Sequence, residues 1–289
     1  MDKNVVNKNL SQEWTTEIKP KRGFLEIPVQ EIWAYRDLLF LLVRRDFVAM
    51  YKQTILGPLW FVIQPVLTTL VFTLVFGNIA NISTDGLPHI LFYLAGITCW
   101  NYFAETLTKT SETFTQNAGV FGKVYFPRII VPLSVVVSNL IKLTIQFILF
   151  LGFTAYYWVS TDLINPNITV LLFPLLVLLM GGIALSMGMI ISSLTTKYRD
   201  LRFLLAFAVQ LLMYATPVIY PLSTLPETYK SAIMLNPITP IVETFRYSFL
   251  GQGSFDVGHL LYSVVFMLIT FFIALIVFNQ IEKNFMDTV

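Results

Sequence analysis

The chain contains six apolar stretches that are each long enough to cross a lipid bilayer, and no other feature limits its possible folds so strongly. A helix needs roughly 20 predominantly apolar residues to span the hydrocarbon core of a membrane. We therefore predict an all-α, polytopic membrane protein with six transmembrane helices. The predicted spans cover roughly residues 58–78, 90–110, 129–157, 168–194, 203–221 and 258–279.

The basic residues predict how these spans are oriented. Lys and Arg are abundant before the first span and recur after spans two and four, whereas the connectors 77–89 and 159–167 contain neither. Lys and Arg concentrate on the cytoplasmic side of membrane proteins. Both termini are therefore predicted to be cytoplasmic, which agrees with six crossings.

The composition is also that of a membrane protein. Hydrophobic residues make up 56% of the chain and charged residues 12%, whereas soluble domains carry roughly 25% charged residues. Cys99 is the only cysteine, so an internal disulfide is excluded. The first thirty residues lack the apolar core of a cleavable signal peptide, and we expect none.

The chain divides into three predicted regions. Residues 1–30 are polar and interrupted by proline and glycine, so we expect an irregular cytoplasmic segment. Residues 31–56 form an interfacial region, and residues 57–289 form the six-helix transmembrane domain.

Within the second region, residues 31–54 predict an amphipathic helix in the cytoplasmic membrane interface, because apolar residues recur at three- and four-residue steps. One interpretation is a plain membrane anchor, and the other is a moving element that gates the cytoplasmic mouth. The predicted apolar face consists of Ile32, Tyr35, Leu39, Phe40, Val43, Phe47 and Met50.

The third span carries Asn139, Lys142 and Gln146 on one helix face. A charge in lipid costs at least about 2.5–3.5 kcal/mol, so Lys142 is expected to face protein or water. It either lies on a polar pathway or is a snorkelling or internally paired lysine. Glu105 in span two is a conceivable partner, but we place Glu105 near the cytoplasmic side and Lys142 nearer the outer half, which argues against direct pairing.

Two further patterns lie within the spans. Ala184, Gly188 and Ser192 put a small residue on one face at each turn, which favours close packing within the chain. Aromatic residues make up 15% of the chain. Since sugars stack on aromatic rings, a ring-lined path would suit a glycan, although the same rings could face lipid or pack internally. The candidate lining residues are Trp60, Phe72, Phe76, Phe207 and Tyr214.

Two connectors are unusual. Residues 117–128 read NAGVFGKVYFPR, which is typical of a short helix or tight turn presented to a cytoplasmic partner and equally of an ordinary interfacial loop. Residues 216–254 hold several prolines and apolar pieces that are too short to cross. We predict two short re-entrant helices there, between spans five and six. Glu243 and Arg246 are three residues apart and could pair on one helix face.

The sequence gives little support for enzymatic chemistry. It contains neither a phosphate-binding G-x-x-x-x-G-K-[ST] loop nor a G-x-S-x-G motif. Its two histidines do not belong to a cluster with metal-ligand spacing, so no metal site is expected. We expect no cofactor and no nucleic-acid partner for this chain.

Five motifs in order resemble one family of membrane proteins. They are RRDF with YKQT-x-LG-x-LW (44–60), GKVYFPR-x-x-x-P (122–132), KYRDLR (197–202), TPVIY (216–220) and LNPITP (235–240). Together they are similar to the membrane subunit of type-2 ABC exporters, and more narrowly to permeases that export O-antigen polysaccharide, with capsular and teichoic acid exporters as relatives. The similarity runs from about residue 30 to the end.

The resemblance implies a homodimer in the bacterial cytoplasmic (inner) membrane, with two separate nucleotide-binding subunits that bind ATP and Mg²⁺. A channel at the dimer interface, made chiefly by spans one and five, would pass a polysaccharide carried on polyprenyl pyrophosphate. The two outer re-entrant helices would match residues 226–252. Basic interfacial residues are our hypothesis for the pyrophosphate contacts: Arg44, Arg45 and Lys52.

The resemblance also identifies residues 117–128 as a coupling helix that transmits movements of the ATPase to the membrane. The residues concerned are Gly119, Phe121, Gly122, Lys123, Tyr125, Phe126, Pro127 and Arg128.

The leading function is therefore ATP-driven export of a lipid-linked polysaccharide. A small-molecule or lipid exporter of the same family is a second reading, which predicts drug efflux without dependence on glycan synthesis. A membrane glycosyltransferase or ligase acting on a lipid-linked glycan is a third, but it would need catalytic groups at an active-site mouth.

Overall fold

In a computed structural model of the protein, residues 29–288 are described apart from residues 53, 122 and 125, and only the backbone is described at residues 50, 51 and 282–288. Every regular element in these residues is a helix, which confirms the predicted all-α class. The predicted irregular segment falls almost wholly outside them. The α-helices are α1 (Val29–Ala34), α2 (Arg36–Tyr51), α3 (Trp60–Phe72), α4 (His89–Ser111), α5 (Thr113–Phe121), α6 (Ile130–Ser160), α7 (Phe173–Thr195), α8 (Leu201–Tyr214), α9 (Glu227–Met234), α10 (Thr239–Leu250) and α11 (Val257–Thr288).

Four helical segments of the described chain are long and apolar enough to cross a membrane. They correspond to the first, third, fourth and sixth predicted spans, so the protein is a multi-pass membrane protein. Helix α3 is extended at both ends by irregular helical turns, and α7 is extended at its start. The four segments are Gly57–Ile79, Ile130–Ser160, Ile168–Thr195 and Val257–Ile281.

Helix α4 corresponds to the second predicted span and is the central helix of the bundle. Its 23 residues are long enough to cross, but it carries polar side chains such as Asn101, Glu105 and Lys109. It packs against α3, α6 and α7, and most of its residues are buried. A helix that faces protein on nearly all sides can carry such residues, and this is why its sequence is less apolar than that of its neighbours.

Helix α8 corresponds to the fifth predicted span and is shorter than expected. It has 14 residues, about 21 Å, whereas the hydrocarbon core is about 30 Å thick. The predicted span continued to residue 221, but the helix ends at Tyr214 and residues 215–220 form turns around Pro217. The count of six spans therefore stays a prediction.

The bundle has two ends, which we call the α5 end and the α10 end. Helix α4 runs between them, since its first half contacts α10 and its last residue leads into α5. A large apolar core surrounds α4 along most of its length. A second core lies at the α5 end, where Leu42 of α2 packs with Phe114, Phe121 and Phe278.

The predicted small-residue face of α7 does pack inside the chain. A Cβ atom on Gly188 would come within 2.6 Å of the Thr110 Cβ. One turn later, the Ser192 hydroxyl accepts a hydrogen bond of 3.2 Å from the backbone N–H of Phe114. The small residues thus let α4 and α7 approach closely, as predicted.

Two short helices lie between α8 and α11, as predicted, but they differ in burial. Nearly every residue of α10 is buried, whereas α9 has no buried residue. Helix α10 ends at Gly251, whose φ of +78° and 2.7 Å approach of a Cβ to the Asn165 carbonyl oxygen both require glycine. Whether either helix enters a membrane stays a prediction.

Helix α11 begins just after Asp256. The backbone N–H groups of His259 and Gly258 donate to its carboxylate at 3.2 and 2.6 Å. These hydrogen bonds lower the pKa of Asp256 below its ordinary value, as is expected of a carboxylate at a helix N-terminus.

Candidate functional site

The predicted amphipathic helix is present, and one side of it packs on protein. The structure divides it at Tyr35 into α1 and α2. Leu42 and Val43 are 7% exposed and pack toward the second core and α6, whereas Phe40, which we placed on the apolar face, is 63% exposed. Ile32, Tyr35 and Leu39 of the predicted face do pack against the second core, so Phe40 is the exception and Leu42 is the addition.

The three basic candidates for pyrophosphate contact lie on or directly after α2. Arg44 and Lys52 are exposed. Arg45 forms an ion pair of 2.8 Å with Asp46 and lines a cavity of about 360 Å³ between α2, the α4–α5 corner and α6. Arg45 is exposed as well, but its charge is partly neutralised by Asp46.

The predicted coupling segment is a helix only in its first part, because α5 ends at Phe121. Phe121 and Phe126 are 5% and 6% exposed, with ring centroids 5.7 Å apart. The guanidinium of Arg128 lies 5.4 Å from the centre of the Phe121 ring. These residues, with the buried Pro127, hold the segment onto the second core and do not face outward.

The outward face of this segment is formed by other residues. Gly119 borders open space, and Lys123 is exposed. Val120 and Val124, which the sequence reasoning did not single out, are 45% and 58% exposed. Gly122 and Tyr125 lie outside the described residues. Val120 and Val124 lie on either side of Lys123 in the sequence, next to the buried rings of Phe121 and Phe126. Such an exposed surface is suited to contact another protein.

Lys142 and Glu105 form a direct ion pair, so the expectation that they lie too far apart was wrong. The error came from the assumed depth of α6. Asn139 donates to Thr106 at 3.1 Å, and Thr106 is five residues before the end of α4 while Asn139 is nine after the start of α6. Helix α6 therefore begins about 6 Å beyond the end of α4.

This ion pair belongs to a polar seam between α4 and α6. The Asn101 amide donates to Gln146 at 3.5 Å, and the Lys142 ammonium lies 5.4 Å from the ring centre of Phe61 in α3. The Lys142 side chain is 12% exposed. Of the two readings of Lys142, the structure supports the internally paired lysine, and the cavity along the seam has a volume of only about 10 Å³.

A second ion pair anchors the α10 end of the bundle. Glu243 and Arg246 pair at 3.3 Å, as their spacing predicted, and both are buried. The Arg246 guanidinium donates to the carbonyl oxygens of Pro217 and of Val218, the latter at 2.8 Å. It also lies 3.7 Å from the ring centre of Phe92 in α4. Arg246 thus joins α10, α4 and the chain directly after α8.

The five candidate aromatics fall into two groups. Phe72 and Phe76 contact each other edge-on at 5.3 Å, and Phe72 also contacts Tyr93 in the core, so these two rings pack internally. Trp60, Phe207 and Tyr214 are 46%, 59% and 50% exposed. Of the five candidates, these three present largely exposed rings at the surface of the single chain.

Most of the residues described above lie within a region of the chain that a protein-family model matches. The family model described as "ABC-2 type transporter" matches residues 37–250. The chain belongs to the ABC-2 type transporter family. The matched region begins in α2 and ends with α10, so it includes the polar seam, the predicted coupling segment and the Arg246 anchor.

Individual relatives cover nearly the whole chain. The O-antigen export system permease protein RfbA of Myxococcus xanthus is 28% identical over 265 residues, which are 90% of this chain and 98% of that protein. The protein of the same description from Klebsiella pneumoniae is 25% identical over 254 residues, or 87% and 94% of the two chains. The polysialic acid transport protein KpsM of Escherichia coli is 22% identical over 251 residues, or 86% and 93%.

Proposed function

We propose that this chain is the transmembrane subunit of an ATP-driven ABC exporter that carries a lipid-linked polysaccharide across the bacterial cytoplasmic membrane. The observation that carries the proposal is the end-to-end similarity to permeases of polysaccharide export, together with the family match. The cargo is O-antigen-like and is attached to polyprenyl pyrophosphate.

ATP hydrolysis belongs to two partner subunits, which bind the nucleotide and Mg²⁺. They dock at the α5 end, where Val120, Lys123 and Val124 are exposed beside the buried Phe121 and Phe126. Because the rings of Phe121 and Phe126 are buried in the second core, a movement of the ATPase at the exposed surface is transmitted to α4 and α6 without local unfolding. The α5 end is the cytoplasmic end, in agreement with the basic residues before α3.

Two copies of the chain form the channel, and α3 and α8 line it. This assignment is supported by the poor burial of these helices, since only Pro65 and Thr69 of α3 and Leu205 of α8 are buried within one chain. Trp60, Phe207 and Tyr214 then supply rings on which sugars stack. Helix α8 forms the fifth of the six crossings together with the turns after Tyr214, and α9 and α10 form the outer re-entrant pair.

The pyrophosphate of the cargo contacts Arg44 and Lys52, with Arg45 as a third cation. These residues lie on the interfacial helix next to the start of α3, where a lipid-linked substrate would approach from the membrane. Replacing Arg44 and Arg45 by glutamine should impair export while the protein still reaches the membrane in normal amount. Export at the parental rate would remove this role.

The proposal is tested by purifying the chain from its source cell with any ATPase that associates with it and measuring ATP hydrolysis in nanodiscs. Lipid-linked polysaccharide from the source cell should raise the rate, whereas the same glycan without its lipid should not. Stimulation by drug-like small molecules but not by the glycan lipid would instead favour the small-molecule exporter. The absence of any associated ATPase would contradict both transport readings.

A further inference from the structure

The cavity of about 360 Å³ between α2, the α4–α5 corner and α6 is lined mainly by polar and charged groups. Its lining residues belong to α2, α4, α5, α6 and the α4–α5 corner, and none of them belongs to α3 or α8, the helices proposed to line the channel. Its size is within the range of small-ligand pockets, which is roughly 300–1,000 Å³. The lining groups that can donate hydrogen bonds include Arg45, Lys109, Gln116, Asn117 and Ser138.

Both carboxylates that line the cavity have their own cations. Asp46 accepts from Arg45 at 2.8 and 2.9 Å. Glu112 lies 3.4 Å from the Arg202 guanidinium, which approaches from α8. These two pairs are neutral as units, so they neither attract nor repel an ion strongly.

The deep side of the cavity has an unbalanced positive charge. Glu105 pairs with Lys142 and lies 3.9 Å from Lys109, so one carboxylate serves two ammonium groups. Lys109 lines the cavity, and Lys142 is directly behind it, one helical turn beyond Ser138. Among the described side chains of this group, the sum is therefore close to one positive charge.

Ser138 supplies an independent indication of a binding site. It is 3% exposed and lines the cavity, yet its hydroxyl has no hydrogen-bond partner among the described residues. A buried hydroxyl without a partner costs about 1–3 kcal/mol. An acceptor atom bound next to Lys109 would satisfy it.

The depth of the cavity matches that of a lipid headgroup. Helix α6 has 31 residues, about 46 Å, so about 16 Å of it must lie outside a hydrocarbon core of about 30 Å. Tyr156, Tyr157 and Trp158 mark the interface near its far end, so most of the excess is at the α5 end. Ser138 lies about 12 Å from the start of α6, close to the boundary between headgroups and hydrocarbon.

We infer that this cavity binds the phosphate of a bilayer phospholipid headgroup, with Lys109 and Ser138 contacting the phosphate oxygens. A single phosphodiester carries one negative charge and matches the unbalanced positive charge of the cavity. Such a lipid would bridge α2 to α4 and α6 and hold the interfacial helix at the membrane surface. The inference does not depend on which cargo the protein exports.

The experiment is a titration of the purified full-length chain in detergent with dioctanoyl phosphatidylglycerol, followed by native mass spectrometry. The parental chain should bind one lipid saturably. Lys109→Gln should weaken this binding about tenfold, as expected for the loss of a charge-assisted hydrogen bond, and Ser138→Ala should weaken it about threefold. Lys197→Gln removes an exposed cation outside the cavity and should leave the affinity within twofold.

Three results would overturn the inference. The first is equal binding of dioctanoylglycerol, which has the same chains without the phosphate. The second is unchanged affinity in both Lys109→Gln and Ser138→Ala. The third is displacement of the phospholipid by equimolar farnesyl diphosphate in the parental chain but not in Lys109→Gln, which would assign the cavity to the diphosphate of a polyprenyl cargo.

Discussion

At the scale of single residues, the least expected contact is the one between Lys142 and Glu105. The lysine was recognised from the sequence as a charge that must be paired or solvated, and the structure pairs it. Glu105 also lies 3.9 Å from Lys109, which makes the carboxylate the shared counterion of two cations. The consequences of removing each partner are therefore unequal.

Glu105→Gln should destabilise the chain more than Lys142→Met does. The glutamine variant leaves two neighbouring ammonium groups without a counterion, whereas the methionine variant leaves Glu105 with Lys109. We expect a loss of about 1–3 kcal/mol for Glu105→Gln and a smaller loss for Lys142→Met, measured as unfolding midpoints in detergent. The double variant should be more stable than Glu105→Gln alone, and a simple sum of the two effects would contradict the shared-counterion arrangement.

Arg246→Met should strongly destabilise the α10 end. It removes the guanidinium from two carbonyl oxygens and from Glu243, which would stay buried as an unpaired carboxylate. Breaking a buried pair in this way costs about 3–5 kcal/mol. Lys230→Met is the matched control, because Lys230 and Glu227 pair with the same spacing but are exposed, and it should cost less than about 1 kcal/mol. Similar unfolding midpoints for the two variants would contradict the anchoring role of Arg246.

Part of the contacts of Arg246 and Lys142 could be predicted from the sequence. The three-residue spacing of Glu243 and Arg246 indicates a local pair, since both lie on one helix face. It does not reveal the carbonyl oxygens of Pro217 and Val218, because those contacts depend on where a distant turn folds. The pairing of Lys142 was missed for a similar reason, since periodicity gives the face of a residue but not the relative depth of two helices.

At the scale of elements, α4 and α7 approach each other closely at Gly188. Gly188→Ala should push these helices apart, because the new methyl group would lie within 3.1 Å of the Thr110 side chain and of the Leu107 carbonyl oxygen. We expect a loss of about 1–3 kcal/mol in unfolding free energy. Gly152→Ala, in the middle of α6 with nothing within 4 Å of the new atom, should be neutral or stabilising by up to about 1 kcal/mol. The same sign of effect in both variants would contradict the packing argument.

The predicted coupling segment has a buried part, with Phe121 and Phe126, and an exposed part. A substitution in the exposed part should affect binding of the ATPase and not the stability of the chain. Val124→Glu should abolish co-purification of the ATPase partner without lowering the unfolding midpoint, because Val124 is 58% exposed. Val159→Glu is the control, since Val159 is 85% exposed at the opposite end. Retention of the ATPase by the Val124 variant would place the docking surface elsewhere.

The sequence located this segment but not its two faces. The motif from residue 122 to 132 identified it by resemblance, and the alternation of aromatic and small residues was ambiguous. Burial of Phe121 and Phe126 follows from their contact with Phe114, Phe278 and α2, which are far apart in the chain. Likewise, the length of α8 was overestimated because the apolar run continues past Tyr214 through residues that form turns.

At the scale of the whole molecule, α3 and α8 are among the helices whose apolar faces stay exposed in the single chain. Leu70 and Val71 of α3 are 49% and 55% exposed, and Phe203 and Phe207 of α8 are 80% and 59% exposed. Lipid can cover such faces in a membrane, and a second copy can cover them equally well. If these faces meet across a homodimer, as we propose, one arrangement explains the short α8, the exposed rings and the transport function.

The most direct test of the transport function is to remove the protein from its cell and locate the lipid-linked polysaccharide. Spheroplasts labelled with a membrane-impermeant lectin distinguish glycan on the outer face of the membrane from glycan retained inside. The account predicts loss of surface polysaccharide with accumulation of the lipid-linked form inside, and recovery when the intact chain is restored. Accumulation of the lipid-linked form on the outer face would instead indicate a ligase, and unchanged surface polysaccharide would contradict polysaccharide export.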